Sequence, residues 1–172
     1  MKLLTLILII FIFSNLIKGA ELRFESTGYS KSKVYNISKD RIYLNFTCNA
    51  IFSTSIGIVG DSECQGILEI INGVTTSNIM CKAIEKNGDV YFLQFKASSS
   101  SDIQTQGTQT FTFVSGEGRW GELVGQKCIG ATSSINPKDL GDGIFQDAFM
   151  WAGKCNVPDE TLERVKNYKK AQ

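Results

Sequence analysis

Residues 42–53 read IYLNFTCNAIFS, and their alternation decides the fold. Ile42, Leu44, Phe46, Cys48, Ala50 and Phe52 fall on one side of an extended chain, and Tyr43, Asn45, Thr47, Asn49 and Ser53 on the other. Successive side chains of a strand point to opposite faces, so a period of two kept this long marks a half-buried strand. The pattern recurs downstream. Gly66–Ile71 is aliphatic and stops at Asn72-Gly73, a dipeptide suited to a tight hairpin turn. Thr75–Glu85 ends at the turn Asn87-Gly88-Asp89, and Val90–Lys96 then sets Tyr91, Leu93 and Phe95 on one face. Ser98–Ser101, Asp102 and the Gln, Gly and Thr residues after it read as a mobile loop. Thr108–Ser115 resumes the alternation with Phe111 and Phe113. After a glycine-rich turn at 116–121 comes a strand over Glu122–Ala131, then a loop through Asn136-Pro137 to Gly143. Ile144–Val157 carries the last strand, with Phe145, Phe149 and Trp151.

Seven or eight short strands joined by Gly and Asn turns, with almost no helical period, predict an all-β barrel or sandwich. The expectation is a single antiparallel β-barrel of about eight strands over residues 21–158, since closure removes the exposed edges of an open sheet. Residues 159–172 are a charged C-terminal tail or short helix. Asp159 and Glu160 open it and Lys166, Lys169 and Lys170 close it, an order that complements a helix dipole.

Residues 1–20, MKLLTLILIIFIFSNLIKGA, have the parts of a secretory signal peptide: Lys2, an apolar run over Leu3–Phe13 broken only by Thr5, and small residues at Gly19-Ala20. The apolar run is short for a bilayer, which takes about twenty residues; the rival reading is an uncleaved anchor, because Leu16-Ile17 extends it. Cleavage after Ala20 sets Lys18 at the third position before the cut, and cleavage after Gly19 sets Ile17 there. Removal of residues 1–20 leaves 152, one domain's worth, with 16 basic and 17 acidic side chains. So balanced a surface is poor bait for nucleic acid, whose binding rests on phosphate neutralisation. No later segment is apolar enough to be a transmembrane helix. The expected location is exported, periplasmic or secreted; the oligomeric state is left open.

All five cysteines follow that segment, and in an oxidising compartment they read as disulfide candidates with one left over. The chain has no histidine and no CxxC pair, so neither a metal site nor a cofactor is expected. Asp139, Asp142 and Asp147 around Gly141 and Gly143 fall short of the alternating oxygen ligands of a calcium loop and read as a solvated turn. Gly116-Glu117-Gly118-Arg119-Trp120-Gly121 is a formal GxGxxG, but strand-like residues with two further glycines follow it where a dinucleotide fold needs a helix. It reads instead as a tight connection with Trp120 capping one end of the core. Asn36-Ile-Ser38 and Asn45-Phe-Thr47 match the glycosylation pattern, which is common by chance. Without histidine there is no ordinary base poised near neutrality. Glu63, Glu69, Glu85 and Asp89 remain as acid–base candidates; Glu69 has the option of pointing into a barrel mouth, and the plainer reading of all four is surface charge.

The segment Val114–Trp120, with Leu123 and Gly125, resembles the G-x-G-[KR]-aromatic-x-x-[IL]-x-G signature of small exported bacterial proteins with an allene oxide cyclase-like barrel, the calycin type shared with dirigent proteins. Cys81 with Asn87–Phe92 is similar to their Cys…GD-hydrophobic strand pair, and Trp151–Pro158 to their closing strand. The resemblance spans roughly residues 60–158 and departs at Cys128 and Cys155. It favours pairing Cys64 with Cys81 across the Asn72-Gly73 hairpin; Cys128 and Cys155 would pair similarly between the last two strands, leaving Cys48 free. Apart from the resemblance, an aromatic-rich strand set with no catalytic constellation leads to the expectation of a non-enzymatic exported barrel that binds a small apolar ligand or a partner surface. The alternatives are a cyclase or isomerase acting on a lipid-like substrate, or a structural envelope protein. An interior filled by Phe46, Phe92, Phe95, Phe111 and Trp151 would exclude the first two; a continuous apolar cavity with one buried acid or amide would favour them.

Overall fold

The alternating stretch at residues 42–53 lies in strand β2, Arg41–Thr54, with Leu44, Cys48 and Phe52 buried on its inner face. The computed structural model describes residues 19–96, 98–99 and 106–170. The remaining strands are β1 (Gly19–Ser38), β3 (Val59–Ile71), β4 (Val74–Glu85), β5 (Val90–Lys96), β6 (Ser98–Ser99), β7 (Gln106–Gly116), β8 (Lys127–Asp139) and β9 (Ile144–Pro158). A 3₁₀ helix spans Gly118–Leu123, and an α-helix, α1, covers Asp159–Asn167.

Each strand is antiparallel to its neighbours in the order β3-β2-β1-β9-β8-β7-β5-β4, and β3 also pairs with β4, so the sheet closes into an eight-strand barrel. The two-residue β6 continues β5 along β4 in the same register, Ser98 opposite Thr76 and Ser99 opposite Thr75. Asn72 and Gly73 both take positive φ, 51° and 77°, as a two-residue hairpin turn demands, and they set Ile71 opposite Val74.

Several expectations change. The strands are long, not short: β1 runs 20 residues and β9 runs 15. β1 itself carries no sequence signal, because its inner face reads Leu22, Phe24, Ser26, Gly28, Ser30, Ser32, Val34 and the serines hide the alternation. The strand expected at Glu122–Ala131 starts at Lys127, after the 3₁₀ helix, and runs to Asp139 through the Asn136-Pro137 pair expected in a loop. Proline is tolerated there because a bulge lies between Ile135 and Lys138, with Asn136 at φ 64°. Ser98–Ser99 and Gln106–Gly107 are strand; the rest of the expected loop lies outside the described residues, as does the signal segment up to Lys18.

One end of the barrel is plugged. Trp120 stacks on Tyr91 with ring centroids 4.2 Å apart, and Phe24, Phe111 and Phe113 complete an aromatic layer beneath it. Helix α1 packs on the 3₁₀ helix, β1 and β9, burying Val165 fully and Thr161 nearly so. The tail thus belongs to the core, where an apolar side chain of this size contributes about 1.5–3 kcal/mol on burial. The hairpin turns at 39–40, 72–73 and 140–143 sit at the opposite end.

Candidate functional site

Two places gather polar side chains, one at the plugged end and one inside the open half. At the plug the buried carboxylate of Glu85 accepts a hydrogen bond from Trp120 Nε1 at 2.8 Å and faces Arg119 Nη2 at 3.2 Å. Arg119 also donates to the Val165 carbonyl at 3.0 Å and lies over the Tyr168 ring, tying α1 to the barrel. Asp89 is just as buried and meets Lys170 Nζ at 2.8 Å and Asn87 Nδ2 at 3.1 Å. Glu85 and Asp89 are therefore not surface charges. Burial raises the pKa of Glu85, with Arg119 and Trp120 opposing it. Among the described residues, Arg119 Nε is the one fully buried side-chain polar atom of this cluster without a hydrogen-bond partner, which marks the cluster as a clasp.

The GxGxxG belongs to that clasp. A Cβ on Gly118, at φ 53°, would lie 2.3 Å from Asp89 Oδ2 and 2.7 Å from the Tyr168 hydroxyl. Gly116 is pressed against the Trp120 backbone, 2.6 Å from where its Cβ would be. Close approach to Trp120 explains Gly116, and close approach to Asp89 and Tyr168 with a positive φ explains Gly118.

The open half holds a cavity of about 240 Å³ running inside the barrel. Phe46, Phe95, Phe149 and Trp151 stand in its wall without filling it; Phe111 belongs to the layer below, fully buried. Phe92 is not interior at all, since Tyr91, Leu93 and Phe95 take the inner face of β5. Trp151 lies flat on β8, so close that a Cβ on Gly130 would sit 2.8 Å from its Nε1, and that nitrogen is buried without a partner.

Among the described residues one carboxylate reaches the cavity. Asp147 was expected in a solvated turn with Asp139 and Asp142, but it stands three residues into β9, on the inner face. Its two oxygens accept hydrogen bonds from Ser30 Oγ on β1 and Ser134 Oγ on β8, the strands on either side. Asp139 stays at the turn, where its Oδ1 accepts from the Gly141 amide at 2.8 Å. Ser26, Ser32 and Thr132 add hydroxyls to the same wall. Glu69 is absent from the cavity: it points outward and pairs with Arg41 at 2.6 Å, while Leu68 and Ile70 take the inside. Glu63 is likewise on the outer face, exposed.

The cysteines form a row. Cys64 and Cys81 are bonded, with Cα atoms 4.0 Å apart, and Cys128 and Cys155 are bonded with Cα atoms 4.5 Å apart. Cys48 is free and buried, directly opposite Cys64 across β2 and β3, so Cys48, Cys64 and Cys81 occupy consecutive strands and all three line the cavity. Burial, reinforced by the Asp147 charge, pushes the Cys48 thiol up to about 12, against a backbone hydrogen bond at Cys64 that lowers it. Among the described residues no group of three or more potential ligands is placed to hold a metal ion, and no helix is long and apolar enough to cross a membrane.

Comparison with protein-family models gives no match, and comparison with curated proteins gives none.

Proposed function

We propose that this chain is an exported carrier barrel, of the allene oxide cyclase-like, calycin type, which holds a small and mainly apolar molecule in its open half without converting it. The cavity carries the reading. Its 240 Å³ lie just below the ~300–1,000 Å³ of sites for drug-sized ligands, so the occupant is a short chain or single ring system. Aromatic and aliphatic side chains supply the burial, and a single carboxylate with its serines supplies orientation, the usual division of labour in a ligand site. Two further ionisable groups on the wall, Cys48 and Tyr91, have their pKa values raised by burial and stay protonated near neutrality. Both disulfides are compatible with an oxidising location, and export also rests on the apolar leader read from the sequence.

Mass spectrometry of material extracted from the purified protein tests this. The expected result is a stoichiometric small molecule, recovered unaltered after reloading. Turnover of the reloaded molecule would replace carriage with catalysis, and failure of every apolar probe to bind would remove the reading.

A further inference from the structure

The charge of the cavity wall restricts what the barrel accepts. Among the described residues Asp147 is the one carboxylate that lines the cavity, and no lysine or arginine among them does. None of the ion pairs among the described residues involves Asp147. Its contacts are two neutral hydroxyls, one per oxygen. An ionised carboxylate offers about four lone-pair sites, so two of them remain open. The contrast with the plug is direct: Glu85 and Asp89 each have a cation, Arg119 and Lys170.

The environment is also apolar enough for the charge to be felt, since it contributes to raising the thiol pKa of Cys48, which flanks Ser30 on β2 as Asp147 flanks it on β9. In such a place a like charge is repelled and an unlike one attracted far more than in water. From this we infer that the cavity selects molecules with a cationic or hydrogen-donating head on an apolar body, alkylamines and their kin, and excludes carboxylates such as fatty acids. This rests on the carrier reading above and adds the head group to it.

The test uses three probes of one length, hexylamine, hexan-1-ol and hexanoate, titrated calorimetrically into the full protein and into Asp147→Asn. A charge-assisted hydrogen bond predicts that the amine binds about 10- to 100-fold tighter than the alcohol, with hexanoate weakest. In Asp147→Asn the amine should lose most of its advantage over the alcohol; the alcohol, whose hydroxyl still has the amide oxygen as acceptor, should weaken by much less, and its remaining binding reports that the cavity persists. Equal binding of all three, or hexanoate binding best, overturns the head-group inference and leaves the carrier reading standing. Binding of none overturns both. Should Asp147→Asn fail to fold, salt decides: amine affinity in the unaltered protein must fall between low and high salt while alcohol affinity holds, and parallel behaviour overturns the inference.

Discussion

A thiol that sits in a cavity yet resists reaction is a sharp test of the interior described above. Cys48 lines the cavity, so access alone does not protect it; its ionisation does. With a pKa near 12 in place of about 8.5, its thiolate at neutral pH is roughly three thousandfold rarer than that of an ordinary cysteine. The more basic thiolate is a better nucleophile, and a Brønsted slope of about 0.4–0.5 returns roughly 25- to 60-fold of that loss. The net expectation is a reaction about 50- to 100-fold slower than that of a model thiol peptide with a small neutral disulfide such as dithiodipyridine. The rate should climb tenfold per pH unit with no plateau below pH 10. Asp147→Asn should speed it, because a negative charge that disfavours the thiolate is gone. Stopped-flow absorbance gives the rate, and peptide mapping gives the labelled site. Reaction at the speed of the free peptide, levelling off near pH 9, would refute the buried, acid-facing position of this thiol.

Three further outcomes follow from particular contacts. Cys81→Ser should redirect the bond to Cys48–Cys64, the direct cross-strand pair, as seen in a non-reducing peptide map; two free thiols would contradict the register of β2 on β3. Gly118→Ala combines a positive φ with a 2.3 Å clash on Asp89, and urea unfolding should show a loss of about 1–3 kcal/mol, against near-neutrality if that corner is loose. The raised pKa of Glu85 means that the folded state binds its proton more readily than the unfolded one. Its favourable contribution is thus present below the ordinary carboxylate value of about 4.3 and is lost as pH rises through the folded value. The stability of the unaltered protein relative to Glu85→Gln should therefore increase as pH falls from 7 toward 4, and a pH-independent gap in urea midpoints would show that the carboxyl is not desolvated.

The barrel was legible wherever the inner face is greasy. Ile42–Phe52, the Asn72-Gly73 turn and Tyr91-Leu93-Phe95 announce strands and a hairpin because burial enforces a period of two. The pairing Cys64–Cys81 followed the resemblance, and Cys128–Cys155, where the resemblance departs, followed from placing the two on the last two strands. The candidate site was hidden for the same reason that it is a site. On β1 the inward positions are Ser26, Ser30 and Ser32, and on β9 the inward Asp147 sits near two turn aspartates, so local polarity reads as solvent exposure. Glu85 and Asp89 escaped likewise: their partners Arg119 and Lys170 lie 34 and 81 residues away, a distance only the closed sheet spans. A polar residue facing inward and one facing water look alike until the strand's neighbours are known.

The first residues of β1 lie against the last of β9, Gly19 opposite Pro158 and Ala20 opposite Val157, and α1 leaves from that same rim. Both chain ends of the barrel consequently emerge beside the clasp, on the far side from the mouth. A dye, a surface linker or a fused protein attached at either end would leave the entrance unobstructed. A circularly permuted chain, joined across this rim by a short flexible linker and reopened at Asn72-Gly73, would keep every barrel strand intact while giving the entrance two free ends of its own.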